Sequence, residues 1–292
     1  MSSILEPIIL FYLPLALGYI FKKYGKASER FSKDFSRLIL YIFLPALLFD
    51  SIYTKSLGGE FGELLTLTLI GTASVFYFLA VSKLFFKNRF ELSMTLFYAN
   101  SGYLPIPLAI SFWGVEAVPL IGFYIIGNNL TSNILIPLLS ARDLKGGLER
   151  LKNFPPIYAA LLGFILAVAK IEIPGIVLKA ASTIGDLAPT LALIVLGVDI
   201  ASSGSFDLDG VKVYLIRQVF SIFLPFLAFI IGLRDLAFYI VILEALMPPA
   251  VSNIILAQEY DIKPEKVARV VLTATILATL VTIPFLIFLF SV

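Results

Sequence analysis

The sequence predicts an all-α polytopic membrane protein of ten transmembrane helices, built as two inverted five-helix repeats whose fourth and ninth helices are broken where they cross. Three observations lead there. Of 292 residues, 59% are hydrophobic and only 14% charged, with a mean hydropathy of +0.97, far from the composition of soluble domains. Cutting the chain at its charged and Gly/Pro-rich connections leaves ten apolar stretches, most of them near the roughly 20 residues a bilayer-spanning helix needs. A shift of 144 residues lays Leu44-Pro45-Ala46-Leu47 on Ala188-Pro189-Thr190-Leu191, Asn100 on Glu244 and Pro105 on Pro249.

In chain order the spans fall near 4–21, 35–53, 64–86, 90–112, 117–141, 154–170, 174–202, 211–232, 236–257 and 267–290. The first has no basic leader and no small-residue cleavage pattern, so it reads as a retained helix. Connections after the odd-numbered spans hold 17 of the 22 Lys and Arg residues, whereas the opposite connections hold only Lys55, Lys170, Lys179 and Arg234. The positive-inside rule then places both termini outside, in a multi-pass protein of the cell membrane. Five spans per half is an odd number, so residues 1–141 and 154–292 insert with opposite topology. Residues 142–153 form the cytoplasmic linker between them.

The two broken helices carry the chemistry. Span four contains Asn100-Ser101-Gly102-Tyr103-Leu104-Pro105-Ile106-Pro107, and span nine contains Glu244-Ala245-Leu246-Met247-Pro248-Pro249-Ala250-Val251-Ser252-Asn253. Prolines remove backbone donors, and in hydrocarbon the freed carbonyls must be satisfied by protein or water, so such breaks survive where they line a cavity in a bundle. Paired breaks in inverted repeats point to a secondary transporter with a midplane site. The half-helices that begin at the prolines aim their positive ends at the crossing and favour an anion. Asn100, Ser101, Gly102, Pro105, Pro107, Pro248, Pro249 and Asn253 are therefore the candidate substrate residues, joined by Asn128 and Asn129 of span five. Asn133 and the threonines Thr275, Thr279 and Thr282 are weaker candidates for polar walls, since a threonine hydroxyl bonds readily to its own helix.

Glu244 is an acid in the middle of a span, which is expensive and functional by default, and it is assigned to ion coupling with Asp186 as a second candidate. Asp50 and Asp199 lie near helix ends and read as interfacial. Arg217 lies a turn or two inside span eight; it reads first as snorkelling to the cytoplasmic face, with a buried pair to Glu244 as the alternative. Cysteine and histidine are absent, which excludes disulfides and thiolate or imidazole metal sites and leaves carboxylates to carry any proton. No cofactor is expected beyond a coupling proton or sodium ion. A near-neutral charge of +2 with scattered basic residues excludes nucleic acid as a partner. The expected partners are the lipid bilayer and a small organic anion. A membrane-embedded enzyme acting on a metal-bound diphosphate would need clustered intramembrane acids, and none occurs at helical spacing.

The chain resembles the auxin efflux carrier family, in the broader superfamily that includes bile acid sodium symporters. The resemblance rests on Leu13-Pro14-Leu15-Ala16-Leu17-Gly18-Tyr19, the run from Arg37 to Phe49 around Pro45, Asn100 with Pro107, Leu196-Gly197 and the run from Glu244 to Ala250. It implies a scaffold of helices 1, 2, 6 and 7 and a moving transport domain of helices 3–5 and 8–10, whose elevator-type motion carries substrate at the crossing of helices 4 and 9. It implies export or exchange of small organic anions, dicarboxylates such as malonate or malate in microbial members and auxin in plants. Sodium-coupled uptake in the manner of bile acid symporters is the alternative, and a homodimer through the scaffold face is an assembly often made by such folds. The chain departs from the plant carriers in its short central linker, in Glu244 where they have an amide, and in Ala99 where they have a proline. That places a microbial carboxylate carrier ahead of an auxin carrier.

Overall fold

The computed structural model describes residues 2–28, 30–54, 61–141, 143–152, 154–202 and 206–291; Lys55, Arg142, Asn153 and Gly204 lie outside them. The chain begins with α1 (Ser2–Lys23), followed by α2 (Phe31–Leu38), a π-helical turn (Ile39–Phe43) and α3 (Leu44–Thr54), which run on as one rod. The wide turn comes just before Pro45, whose missing N–H cannot close the usual helical bond. Next come α4 (Phe61–Phe85), α5 (Phe90–Phe97), α6 (Pro105–Trp113) and α7 (Ala117–Ala141). Thus the fourth expected span is two short helices with a non-helical segment between them.

Within the expected linker, 142–153, residues Leu144–Lys152 form α8. Asp143 begins it by accepting the Gly146 N–H at 2.8 Å, and the Leu, Lys, Glu and Arg that follow are good helix formers despite two glycines. Beyond it lie α9 (Pro155–Val168), α10 (Gly175–Gly185), α11 (Leu187–Ser202), α12 (Leu208–Ser221) and α13 (Phe223–Ile230). The ninth expected span is again divided, into α14 (Asp235–Ala245) and α15 (Ser252–Glu259). The chain closes with α16 (Pro264–Leu277), a second π-helical turn (Ala278–Thr282) just before Pro284, and α17 (Ile283–Ser291).

Six stretches are long and apolar enough to cross a membrane: Leu5–Lys23, Phe31–Thr54, Gly62–Phe85, Gly175–Ser202, Leu208–Ile230 and Pro264–Phe290. Their outer faces are apolar, with Leu5, Leu13, Leu17, Leu69, Ile222 and Phe288 all exposed, as suits a surface facing lipid rather than water. The described residues contain no strand, and a single bridge joins Ala99 to Pro249.

Helices pack as close pairs: α1 on α11, α3 on α9, α4 on α7 and α12 on α16. Small residues permit the approach. A Cβ on Gly18 would run into the backbone of Ile194, and one on Gly197 into that of Leu15. Gly18→Val is therefore expected to cost about 1–3 kcal/mol as overpacking. At roughly 2–4 °C per kcal/mol, size-exclusion thermostability should fall by several degrees. Gly62→Ala, at a site with open space around it, is the control. Equal stability of the two variants would refute the close-packing account.

At the end where the α4–α5, α11–α12 and α15–α16 connections gather, ion pairs tie three elements together. Arg89 reaches Asp209 at 2.7 Å, Lys266 reaches Asp207 at 2.8 Å and Asp209 at 2.7 Å, and Lys263 reaches Glu91 at 3.0 Å. Burial alone would raise the Asp207 carboxyl, but the Lys266 ammonium and the Asp209 N–H hold it below the usual carboxylate range. This network anchors α5, α12 and α16 as one body beside the crossing.

Candidate functional site

The site is built where α5 gives out and α14 gives out. After Phe97 the chain turns extended at Tyr98, and α6 restarts with Pro105 in its first turn, where a missing N–H costs nothing. After Ala245, Leu246 caps α14, Pro248 and Pro249 forbid continuation, and α15 restarts at Ser252. The two freed segments meet as antiparallel chain. Asn100 N–H donates to Pro248 O at 2.8 Å and Ala250 N–H donates to Tyr98 O at 2.9 Å.

Between those two bonds, Ala99 and Pro249 face each other as a non-hydrogen-bonded pair. That is a position in a ladder where proline loses nothing. The segments thus satisfy each other's backbone in a place where each unpaired group costs several kcal/mol.

Side chains reinforce the crossing. Asn253 Nδ2 donates to Tyr98 O at 3.0 Å and to Ala250 O at 2.9 Å, so it stitches α15 to the α5–α6 segment. Asn100 Oδ1 accepts the Tyr103 N–H at 3.0 Å, which leaves its amide nitrogen as the donor it can offer a substrate. Ser101 Oγ donates to Asn129 Oδ1 at 3.3 Å, and Asn133 Nδ2 reaches the Tyr98 hydroxyl at 3.2 Å. Asn128 instead turns to Ser74 of α4 at 3.2 Å.

From α12, Arg217 enters the crossing and is only 1% exposed. Its Nε donates to Met247 O, its Nη1 donates to Leu96 O at 2.7 Å, and its guanidinium lies 4.3 Å from the centre of the Phe78 ring. Gln218 adds a bond to Leu246 O at 3.1 Å. Arg217 therefore does not snorkel: the carbonyls released where α5 and α14 end draw it inward. Glu244 is fully buried near Arg217, but among the described residues neither of its carboxylate oxygens has a hydrogen-bond partner, and Arg217 Nη2 and Asn128 Oδ1 are likewise unpartnered.

Two small cavities flank the crossing on the side of α2, α3 and α11. One is lined by Gly102, Pro107 and Tyr103 against Leu44, Ala188 and Pro189. The other is lined by Asn100, Tyr103 and Val251 against Ser36, Val195 and Asp199. Asp199, expected as interfacial, thus shares a cavity wall with Asn100. Asp186 is exposed at the α10–α11 junction, with Ser182 and Asp50 beside it, and the structure does not bring it to the crossing.

In the antiparallel pairing Asn100 lies opposite Pro248 and Tyr98 opposite Ala250, so Asn100 and Glu244, which the 144-residue shift lays on each other, are not partners at the crossing. Glu244 accordingly lies within α14, before the break, while Asn100 lies in the break itself.

Residues 144–287 match the family described as membrane transport protein. The match runs from α8 into α17. Over 96% of its length and 96% of the relative's, the chain is 26% identical to an uncharacterized transporter of Methanothermobacter thermautotrophicus. It is 22% identical to a second uncharacterized transporter, from Methanocaldococcus jannaschii, over 95% of this chain and 96% of that one. A segment of 139 residues, 44% of this chain and 37% of the relative, is 29% identical to auxin efflux carrier component 8 of Arabidopsis thaliana. The resemblance to auxin efflux carriers seen in the helix motifs is therefore found by direct comparison as well. The relatives are transporters and carriers, not enzymes.

Proposed function

We propose that the chain is a secondary active transporter of small organic anions, working by efflux or exchange, with substrate held at the crossing of its two broken helices. The observation that carries this reading is the bridge between Ala99 and Pro249, ringed by Asn100, Ser101, Asn129 and Asn253 and flanked by two cavities. The first turns of α6 and α15 both start beside the bridge, and two positive helix ends favour an anion there. Gly102, Pro105, Pro107, Pro248 and Pro249 shape the backbone of this site.

The reading includes ten spans in two inverted repeats, 1–141 and 154–292. Exchange of the halves turns the α1–α11 pair into the α9–α3 pair and the α4–α7 pair into the α12–α16 pair, and contacts of all four kinds occur. Gly18 abuts Ile194 just as Gly163 abuts Phe49, with the same offset of 145 (163 minus 18, 194 minus 49). The scaffold would be α1–α3 and α9–α11, the moving domain the remaining spans, and both termini would face outward in the cell membrane. Glu244 is the coupling group, for a proton or a sodium ion; Asp186 has no geometric support for that role.

Purified protein in liposomes should exchange labelled malate or indole-3-acetate for unlabelled acid in counterflow. Paired runs with and without sodium, at two pH values, separate proton from sodium coupling. No saturable exchange of either acid under any of these conditions would sink the organic-anion reading.

A further inference from the structure

Asp199 has no role in the mechanism so far, yet it lines the same cavity as Asn100 and Val251. It is carried by α11, on the opposite wall from the crossing, and the other lining residues are Ser36, Tyr103, Leu104, Ala192, Val195 and Leu196. Among the described residues, Asp199 is the only charged side chain in that lining, and none that line the cavity is a cation. From α2 come Ser36 and the Ser32 hydroxyl, which leans on the carboxylate. The α2 residues Lys33, Asp34 and Arg37 are exposed. At the end of α1, Lys22 is spent on the Ala27 carbonyl. On α16, Lys266 and Arg269 are held by Asp207. From the crossing come the neutral Asn100 and Tyr103.

An organic anion at Asn100 would share this confined space with a second negative charge and no counter-ion. Two like charges a few ångström apart in a partly desolvated cleft repel by far more than thermal energy. We infer that Asp199 is a proton-operated gate: an anion enters the Asn100 cavity from this face only while the Asp199 carboxyl is protonated. This rests on the anion-transport reading. Because α11 belongs to the proposed stationary wall, the proton returns to the side it came from. The gate therefore sets the apparent affinity on one face and leaves the number of coupled ions unchanged.

The chain has no cysteine, so a single one can report on the cavity without knowledge of the substrate. Val251→Cys places a thiol in the same lining. Its rate of modification by an anionic methanethiosulfonate reagent is divided by its rate with a cationic one, which cancels the thiol's own titration. With Asp199 present, the ratio should rise at least about tenfold from pH 8 to pH 5, and with Asp199→Asn it should be flat and high. Asp199→Glu should restore the pH dependence, and Asp199→Ser serves if the asparagine variant folds poorly. A ratio that ignores pH with Asp199 present, or that keeps its pH dependence without a carboxyl, overturns the gate. Counterflow of malate and indole-3-acetate runs alongside in the chain with Val251 intact. A switching ratio without uptake of either acid keeps the gate and removes the substrate class; uptake with a flat ratio does the reverse.

Discussion

Arg217→Met is expected to destabilise the folded protein by about 3–5 kcal/mol, the range for removing one member of a buried ionic pair. The reason lies in the two carbonyls it serves. Leu96 O is released where α5 ends and Met247 O where α14 ends, and no N–H of either helix can reach them. A buried acceptor left unpaired costs about 1–3 kcal/mol, and here two would be lost together with the charge that faces Glu244. Thermostability by size exclusion should drop by roughly 10 °C. Arg217→Lys should fall between, because an ammonium keeps the charge but lacks the planar fork that reaches both carbonyls while stacking on Phe78. The double variant Arg217→Met with Glu244→Gln should recover part of the loss, since it removes the stranded acid as well. If Arg217→Met were as stable as the parent chain, the guanidinium would not be holding the crossing together.

The breaks themselves were legible in the sequence, because proline's missing N–H is a local property and two interrupted spans at matching positions stand out against apolar helices. What the breaks do to each other was not. The 144-residue shift lays Asn100 on Glu244, whereas in the folded chain Asn100 lies opposite Pro248 and Glu244 stays within α14.

Arg217 and Asp199 were misjudged for one shared reason. Each was placed by counting residues from its own helix end, which says nothing of the neighbouring backbone. Released carbonyls drew Arg217 inward, and the segment between α5 and α6 lies at the level of Asp199, so a residue near a helix end became part of a cavity wall. Asn253 ties the site together through its amide nitrogen, engaged by Tyr98 O and Ala250 O, while its Oδ1 has no hydrogen-bond partner among the described residues. Asn100 lines a cavity, and among the described residues its amide nitrogen has no hydrogen-bond acceptor.

Glu244→Gln is expected to separate exchange from accumulation. Glutamine keeps the shape and burial of the side chain but cannot bind a proton or neutralise a cation. Counterflow, which needs only the substrate site, should persist, since neither carboxylate oxygen of Glu244 bonds to the crossing segments among the described residues. Accumulation against a gradient should collapse. A pH difference of two units, at about 1.4 kcal/mol each, can support roughly hundredfold accumulation through one coupled proton, and the variant should hold close to none. An imposed sodium gradient is the parallel measurement, and whichever gradient drives the parent chain is the one the variant should ignore. If the glutamine variant concentrates substrate as well as the parent, Glu244 carries no coupling ion and serves only to balance Arg217. In that case the ion has to be sought at another acid. Asp199 would be a poor replacement: a carboxyl on the stationary wall can open one face of the cavity to an anion, but it cannot carry a proton across the membrane.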